Sequence, residues 1–209
     1  MNAIDYLLTD NIESPTGDDK YYTEKLIRMP DDYICYAPPE YRPDVGNLPA
    51  FNNGYITLGC FNNPLKINEV LLGEWAKLML SLPQSHLFLK GHQYNSERLC
   101  QSIRTTMARY GITEERLIIE GPSNHNELLE AYNHIDIALD PWPYSGGLTT
   151  CEAMLMGVPV VTLPGPTFAG RHAATHLVNA GMPELVVDNW DQYRERVIGL
   201  ARDLNSLAT

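Results

Sequence analysis

Ser145-Gly146-Gly147 followed by Leu148-Thr149-Thr150 is the part of this sequence richest in chemistry. Glycine lets a backbone approach a ligand with no Cβ in the way. A helix opening at Thr149 and Thr150 would then aim its first N–H groups and two hydroxyls at one point. Such a point suits a pyrophosphate, because a helix N-terminus carries free donors and partial positive charge. The same residues also read as a tight turn with a threonine cap. Glu152, two residues further on, would repel a phosphate, so its fitting partner there is a pair of ribose hydroxyls.

Two other loops add to this. CFNNPLKIN, residues 60–68, sets Asn62, Asn63 and Lys66 ahead of a helix. A lysine at that place opposes the helix dipole, which makes sense beside an anion; the alternative is a solvated surface lysine. EGPSNHNELLEAY, residues 120–132, has Ser123 and Asn124 as caps and His125 opening a helix. His125 there is either a base or ribose contact or an ordinary polar surface residue. Arg171, after the glycine-rich PGPTFAG loop, is a further candidate to approach the same ligand.

Other chemistries find no support. H-E-x-x-H, G-x-S-x-G and G-x-x-x-x-G-K-[ST] are absent, and no G-x-G-x-x-G follows the first strand, which counts against NAD or FAD. His172 and His176 stand one helical turn apart, a spacing that suits metal, but their helix offers no third ligand, so no metal is expected. Cys35, Cys60, Cys100 and Cys151 form no C-x-x-C pair, which points to four half-buried thiols in a reduced, cytoplasmic chain. With 15 Lys+Arg against 26 Asp+Glu and a net charge of −11, neither nucleic acid nor an anionic membrane surface is an expected partner. No apolar run reaches the roughly 18 residues needed to span a bilayer. The opening MNAIDYLLTD has neither the basic start nor the apolar run of a secretory signal.

The elements that must position these loops begin at Tyr55. YITLGC, SHLFLK, RLIIE, IDIALD, VPVVTL and ELVV read as six short apolar strands. Helical segments lie between them, and DQYRERVIGLARDL follows the last. In INEVLLGEWAKLML the spacing of Val70, Leu71, Trp75, Leu78 and Met79 predicts one buried face. Regular alternation of strand and helix predicts an α/β fold, a Rossmann-like, doubly wound and mostly parallel sheet. Ligands of such sheets sit beyond the carboxyl ends of the strands, where strand order reverses, and all three loops lie at those ends. Residues 1–54 differ: they hold six prolines, and YICYAPPEYRPDVGNLP predicts an extended strap lying on something else.

The three loops in this order resemble the carboxyl-terminal lobe of the O-GlcNAc transferase-like glycosyltransferases, family 41. The resemblance is carried by NGYITLGCFNNPLKIN, DIALDPWPYSGGLTTCEAMLMGVPVVTLPG, Arg171 and GMPELVV, and it runs from about residue 5 onward. It is nearest to the bacterial, tetratricopeptide-repeat-associated and SPINDLY-like members. It implies a GT-B architecture, with 1–54 as the inter-lobe strap and remnant of an amino-terminal lobe and 55–209 as the donor-binding lobe. It further implies a UDP-sugar donor, UDP-GlcNAc in the first instance, transferred with inversion and without metal to a protein or peptide acceptor. The acceptor site would come from the missing amino-terminal lobe, with tetratricopeptide repeats upstream, so the chain alone would not be catalytically complete. By position, Lys66 matches the family lysine on the diphosphate and Asn63 an amide at the same phosphates. Gly146, Gly147, Leu148, Thr149 and Thr150 match the pyrophosphate turn, Glu152 the carboxylate on the ribose and His125 a nucleoside contact. The animal enzymes carry histidine and threonine where this chain has Gly147 and Leu148, which leaves the sugar less determined than the nucleotide. UDP-glucose, a non-protein acceptor, or a non-catalytic nucleotide-binding module remain the alternatives.

Overall fold

The computed structural model describes residues 4–208; residues 1–3 of the expected amino-terminal remnant, and Thr209, lie outside the described residues. Strands β1 (Tyr6–Thr9) and β2 (Lys25–Arg28) run parallel and pair only with each other. Residues 29–49 then form neither helix nor strand, as six prolines in the first 54 residues lead one to expect. A single helical turn, α1 (Ala50–Asn53), ends at Gly54 in the left-handed region, with φ 74°.

The alternation follows: β3 (Thr57–Cys60), α2 (Glu69–Ser81), β4 (His86–Lys90), α3 (Glu97–Arg109), β5 (Leu117–Glu120), α4 (His125–Ala131), β6 (Ile137–Leu139), α5 (Leu148–Leu155), β7 (Val160–Val161), α6 (His172–Asn179), α7 (Trp190–Arg202) and α8 (Leu204–Leu207). The main sheet is parallel throughout, in the order β5-β4-β3-β6-β7. The expected sixth strand, ELVV, is instead a 3-10 turn at Pro183–Leu185 and a single bridge from Val186 to Thr162. The proline opening that turn has no N–H for a ladder, and its neighbour β7 is itself only two residues long.

The core is what double winding requires. Leu58, Leu87, Leu89, Ile137 and Val161 are at most 1% exposed, because helices cover both faces of their strands. On α2, Asn68 caps the amino end by accepting from the Leu71 N–H at 3.0 Å, and Leu71, Leu72, Trp75, Ala76, Leu78 and Met79 are buried. Val70 is a correction: it is exposed, because its helical phase puts it on the side of exposed Lys77 and of Glu74, which pairs with Lys77 and with Arg194 of α7. The four cysteines are free, but three are buried and Cys35 alone is exposed. Among the described residues, no helix is long and apolar enough to cross a membrane.

The amino-terminal segment is held to the lobe by polar contacts more than by apolar ones. Asp10 accepts from the Ile12, Glu13 and Tyr33 N–H groups and, at 2.6 Å, from the Thr175 hydroxyl on α6. His172 pairs with the fully buried Glu13, and His176 lies 2.5 Å from Asp32. Both histidines thus face strap carboxylates. Asp136 completes the seam by accepting from the Ala50 and Thr57 N–H groups at 2.8 and 2.7 Å.

Candidate functional site

Strand β3 has β4 and β5 on one side and β6 and β7 on the other. The strand order therefore reverses between β3 and β6, and the loops leaving those two strands meet there. They are the loops of Lys66 and of Ser145–Thr150. Lys66 comes off a short 3-10 turn, Pro64–Lys66, whose start is capped by Asn63. Its ammonium donates to the Ser145 carbonyl at 2.6 Å and to Asn62 Oδ1 at 3.1 Å, and lies 4.1 Å above the Tyr144 ring. Asn62 Oδ1 also accepts from the Thr149 hydroxyl at 2.9 Å. One buried amide oxygen thereby ties the two loops together. Burial pushes the Lys66 ammonium down from its usual range, and nearby Asp140 opposes that shift.

Helix α5 starts at Leu148 with no side-chain cap, after Gly147. Its opening amides face the crease beside Lys66 without a competing side-chain acceptor, which is the arrangement that receives an anion. The two threonine hydroxyls do not point outward together. Thr149 donates to Asn62, and Thr150 donates to the Gly146 carbonyl at 2.8 Å. They brace the turn, and its anion-binding capacity rests on amides and on Lys66. Gly146 must be a glycine for steric reasons. A Cβ there would lie 2.7 Å from Thr149 Oγ1, 2.9 Å from Thr150 Oγ1 and 3.0 Å from Asn62 Oδ1.

The start of α4 and helix α5 are joined by a relay. Asn124 and Glu127 form a reciprocal capping box at the start of α4, which sets His125 at its first position. His125 Nε2 lies 2.8 Å from Glu152 Oε1, and its Nδ1 lies 2.7 Å from the Tyr41 hydroxyl. Glu152 is 2% exposed; burial raises its carboxyl above the ordinary range and the His125 contact pulls it back. Beside this relay, a cavity of about 270 Å³ opens beyond β3, β4 and β5, lined by Phe61, Asn62, Lys90, His92, Gly121 and Ser123 among others.

The structure brings Lys66, Gly146, Gly147, Leu148, Thr149 and Thr150 to one crease and sets His125 and Glu152 against each other. Asn63 is exposed and spends its side chain on the Leu65 N–H at 3.0 Å; the adjacent Asn62 takes the place beside Lys66. Arg171 is directed elsewhere, to Asp18 at 2.8 Å and to the Glu13 and Pro166 carbonyls. It clasps the amino-terminal segment. Tyr41 and Asp140 went unrecognised as site residues. Tyr41 is 84 residues from His125 and carries no local signal, whereas the Asp-Pro at a strand end was a visible mark for Asp140.

A mixed α/β lobe with a parallel sheet in this order is the architecture of the GT-B glycosyltransferases. TarM shares the fold with a TM-score of 0.68 at 11% identity, over 99% of this chain and 38% of TarM. The chain belongs to glycosyl transferase family 41, whose family model matches residues 48–209. It is 36% identical over 210 residues to a probable UDP-N-acetylglucosamine–peptide N-acetylglucosaminyltransferase SPINDLY of Petunia hybrida, covering 100% of this chain and 22% of that protein. A lysine-to-methionine variant of the O-GlcNAc transferase of Thermobaculum terrenum superposes with a TM-score of 0.91 at 40% identity, over 100% of this chain and 39% of that one. The chain therefore spans about a fifth to two-fifths of the length of the relatives it matches.

Proposed function

We propose that this lobe binds UDP-GlcNAc as the donor half of an inverting protein O-GlcNAc transferase. The observation that carries the reading is the meeting of the Lys66 ammonium with the uncapped start of α5, through Asn62 and Thr149. The diphosphate lies between them, and the ribose hydroxyls reach Glu152 beside its contact with His125. The relatives named for peptide N-acetylglucosaminyltransfer support the choice of sugar and acceptor.

In the reaction the bond from the sugar C1 to the β-phosphate oxygen breaks while an acceptor hydroxyl oxygen bonds to C1 from the opposite face. The hydroxyl proton leaves to a base supplied outside this chain, and the electron pair stays on UDP. Lys66 and the α5 amides meet the growing charge on the β-phosphate, and this reading assigns that task to them rather than to a metal. Groups so placed act mainly on the transition state, so Lys66→Ala in the full-length enzyme lowers turnover more than it lowers UDP affinity. Transfer itself needs a second lobe, and turnover on peptide by these 209 residues alone would contradict that part. Calorimetric titration with UDP, with ADP as control, tests the pocket. Saturable binding of UDP that ADP does not match supports it, and equal or absent binding of both overturns it. A UDP-glucose titration in parallel separates the two candidate sugars.

A further inference from the structure

Asp140 is the first residue beyond β6 and is 2% exposed. Its carboxylate accepts three hydrogen bonds: from the Gly146 N–H at 2.7 Å, the Ser145 hydroxyl at 2.8 Å and the Thr162 hydroxyl at 2.6 Å. Each of these partners leads on. The Ser145 hydroxyl oxygen accepts from the Ala173 N–H at 2.8 Å, which ties in the start of α6. The Ser145 carbonyl receives Lys66, and the Gly146 carbonyl receives Thr150. The Asp140 carbonyl accepts from the Tyr193 hydroxyl of α7 at 3.3 Å. One side chain thus holds the Ser145–Gly146 peptide unit, whose carbonyl receives Lys66, together with the Ser145 hydroxyl.

We propose that Asp140 is the positioning residue of this site, whose carboxylate holds the Ser145–Gly146 turn so that the Ser145 carbonyl meets the Lys66 ammonium. The proposal rests on the reading of that turn as a diphosphate site. A buried carboxylate costs desolvation energy, but it suits this turn better than an amide: three donors converge on its two oxygens, and an amide would set its NH2 against one of them. Burial pushes the Lys66 ammonium down from its usual range, and the Asp140 charge opposes that shift. The titratable groups facing Asp140 are Lys66, Cys60 and Tyr193. Burial raises Asp140 itself to about 6, and its bonds to Thr162, Gly146 and Ser145, with the charge of Lys66, oppose the rise.

The test follows Lys66 in the ligand-free chain by NMR, with ¹³C-labelled lysine incorporated during expression so that the amine keeps its donors, in wild type, Asp140→Asn and Asp140→Ala. In Asp140→Asn the Lys66 deprotonation moves down by about one pH step, and the alkaline loss of UDP binding in calorimetry moves with it. Asp140→Ala, which also releases the turn, loses more UDP affinity than Asp140→Asn. A wild-type measurement covers the case in which the variants do not fold: the Lys66 signal shows a second inflection near the Asp140 titration. An unmoved Lys66 titration in Asp140→Asn, or no such inflection in wild type, overturns the proposal. If Lys66 shifts as stated but wild-type chain binds no UDP, the action of Asp140 on Lys66 stands and the diphosphate reading falls.

Discussion

The two halves of the candidate site are built differently. The half proposed for the phosphates, from Lys66 to Thr150, is made of the segments that leave β3 and β6 and the first turn of α5, and its hydrogen bonds are buried or half-buried. The nucleoside half ends on Tyr41, a strap residue 58% exposed, whose bond to His125 is open to water. A hydrogen bond in a desolvated site is electrostatically stronger than one shared with solvent. The phosphate half is thus a rigid charge centre, and the nucleoside half is a lighter contact that depends on how the strap is docked.

That contrast can be broken in graded ways. Gly146→Ala drives a methyl into three oxygens of the phosphate half and is expected to cost about 3 kcal/mol there, which removes UDP binding from calorimetric range while thermal melting stays cooperative. Lys66→Ala is next, at about 2 kcal/mol for a lost charge-assisted hydrogen bond, or roughly thirtyfold in UDP Kd. Asp32→Asn loosens the strap at His176 and is expected to cost about 1.5 kcal/mol of folding stability in urea, with UDP affinity within about twofold. Such a change in affinity greater than that of Lys66→Ala would mean the strap is as much part of the site as the lobe. Tyr41→Phe is the mildest, about 0.5 kcal/mol, seen as a small rise in UDP Kd at unchanged stability. A loss there equal to that of Lys66→Ala would erase the distinction between the halves.

Much of this arrangement was legible before any coordinates. The Rossmann-like sheet, the helix starting near Thr149, the capped start of α4 and the place of Lys66 at a strand exit all rest on features set within a few residues. What was misread has a common cause. Val70 was assigned to the buried face because it is apolar, but its helical phase groups it with Glu74 and Lys77. ELVV has the composition of a strand, yet a strand also needs a neighbour long enough to pair with, and β7 is two residues. Asn62 and Asn63 are adjacent amides of equal capacity, and only the fold decides that one caps a turn while the other joins two loops. Arg171 stands next to a glycine-rich loop, but two carbonyls and Asp18 lie within its reach first.

Periodicity, turn chemistry and helix caps thus came from the sequence by itself, and with them the layered fold and the loops that bear the chemistry. The tertiary structure alone decided which donor meets which acceptor: Lys66 with Ser145, His125 with Glu152 and Tyr41, Asp140 with Gly146, His176 with Asp32. The reason is physical. Local preferences are energies of neighbouring residues along the chain and can be read in order. A choice among chemically equal partners is made by burial and geometry, and those exist only once segments distant in sequence have packed together.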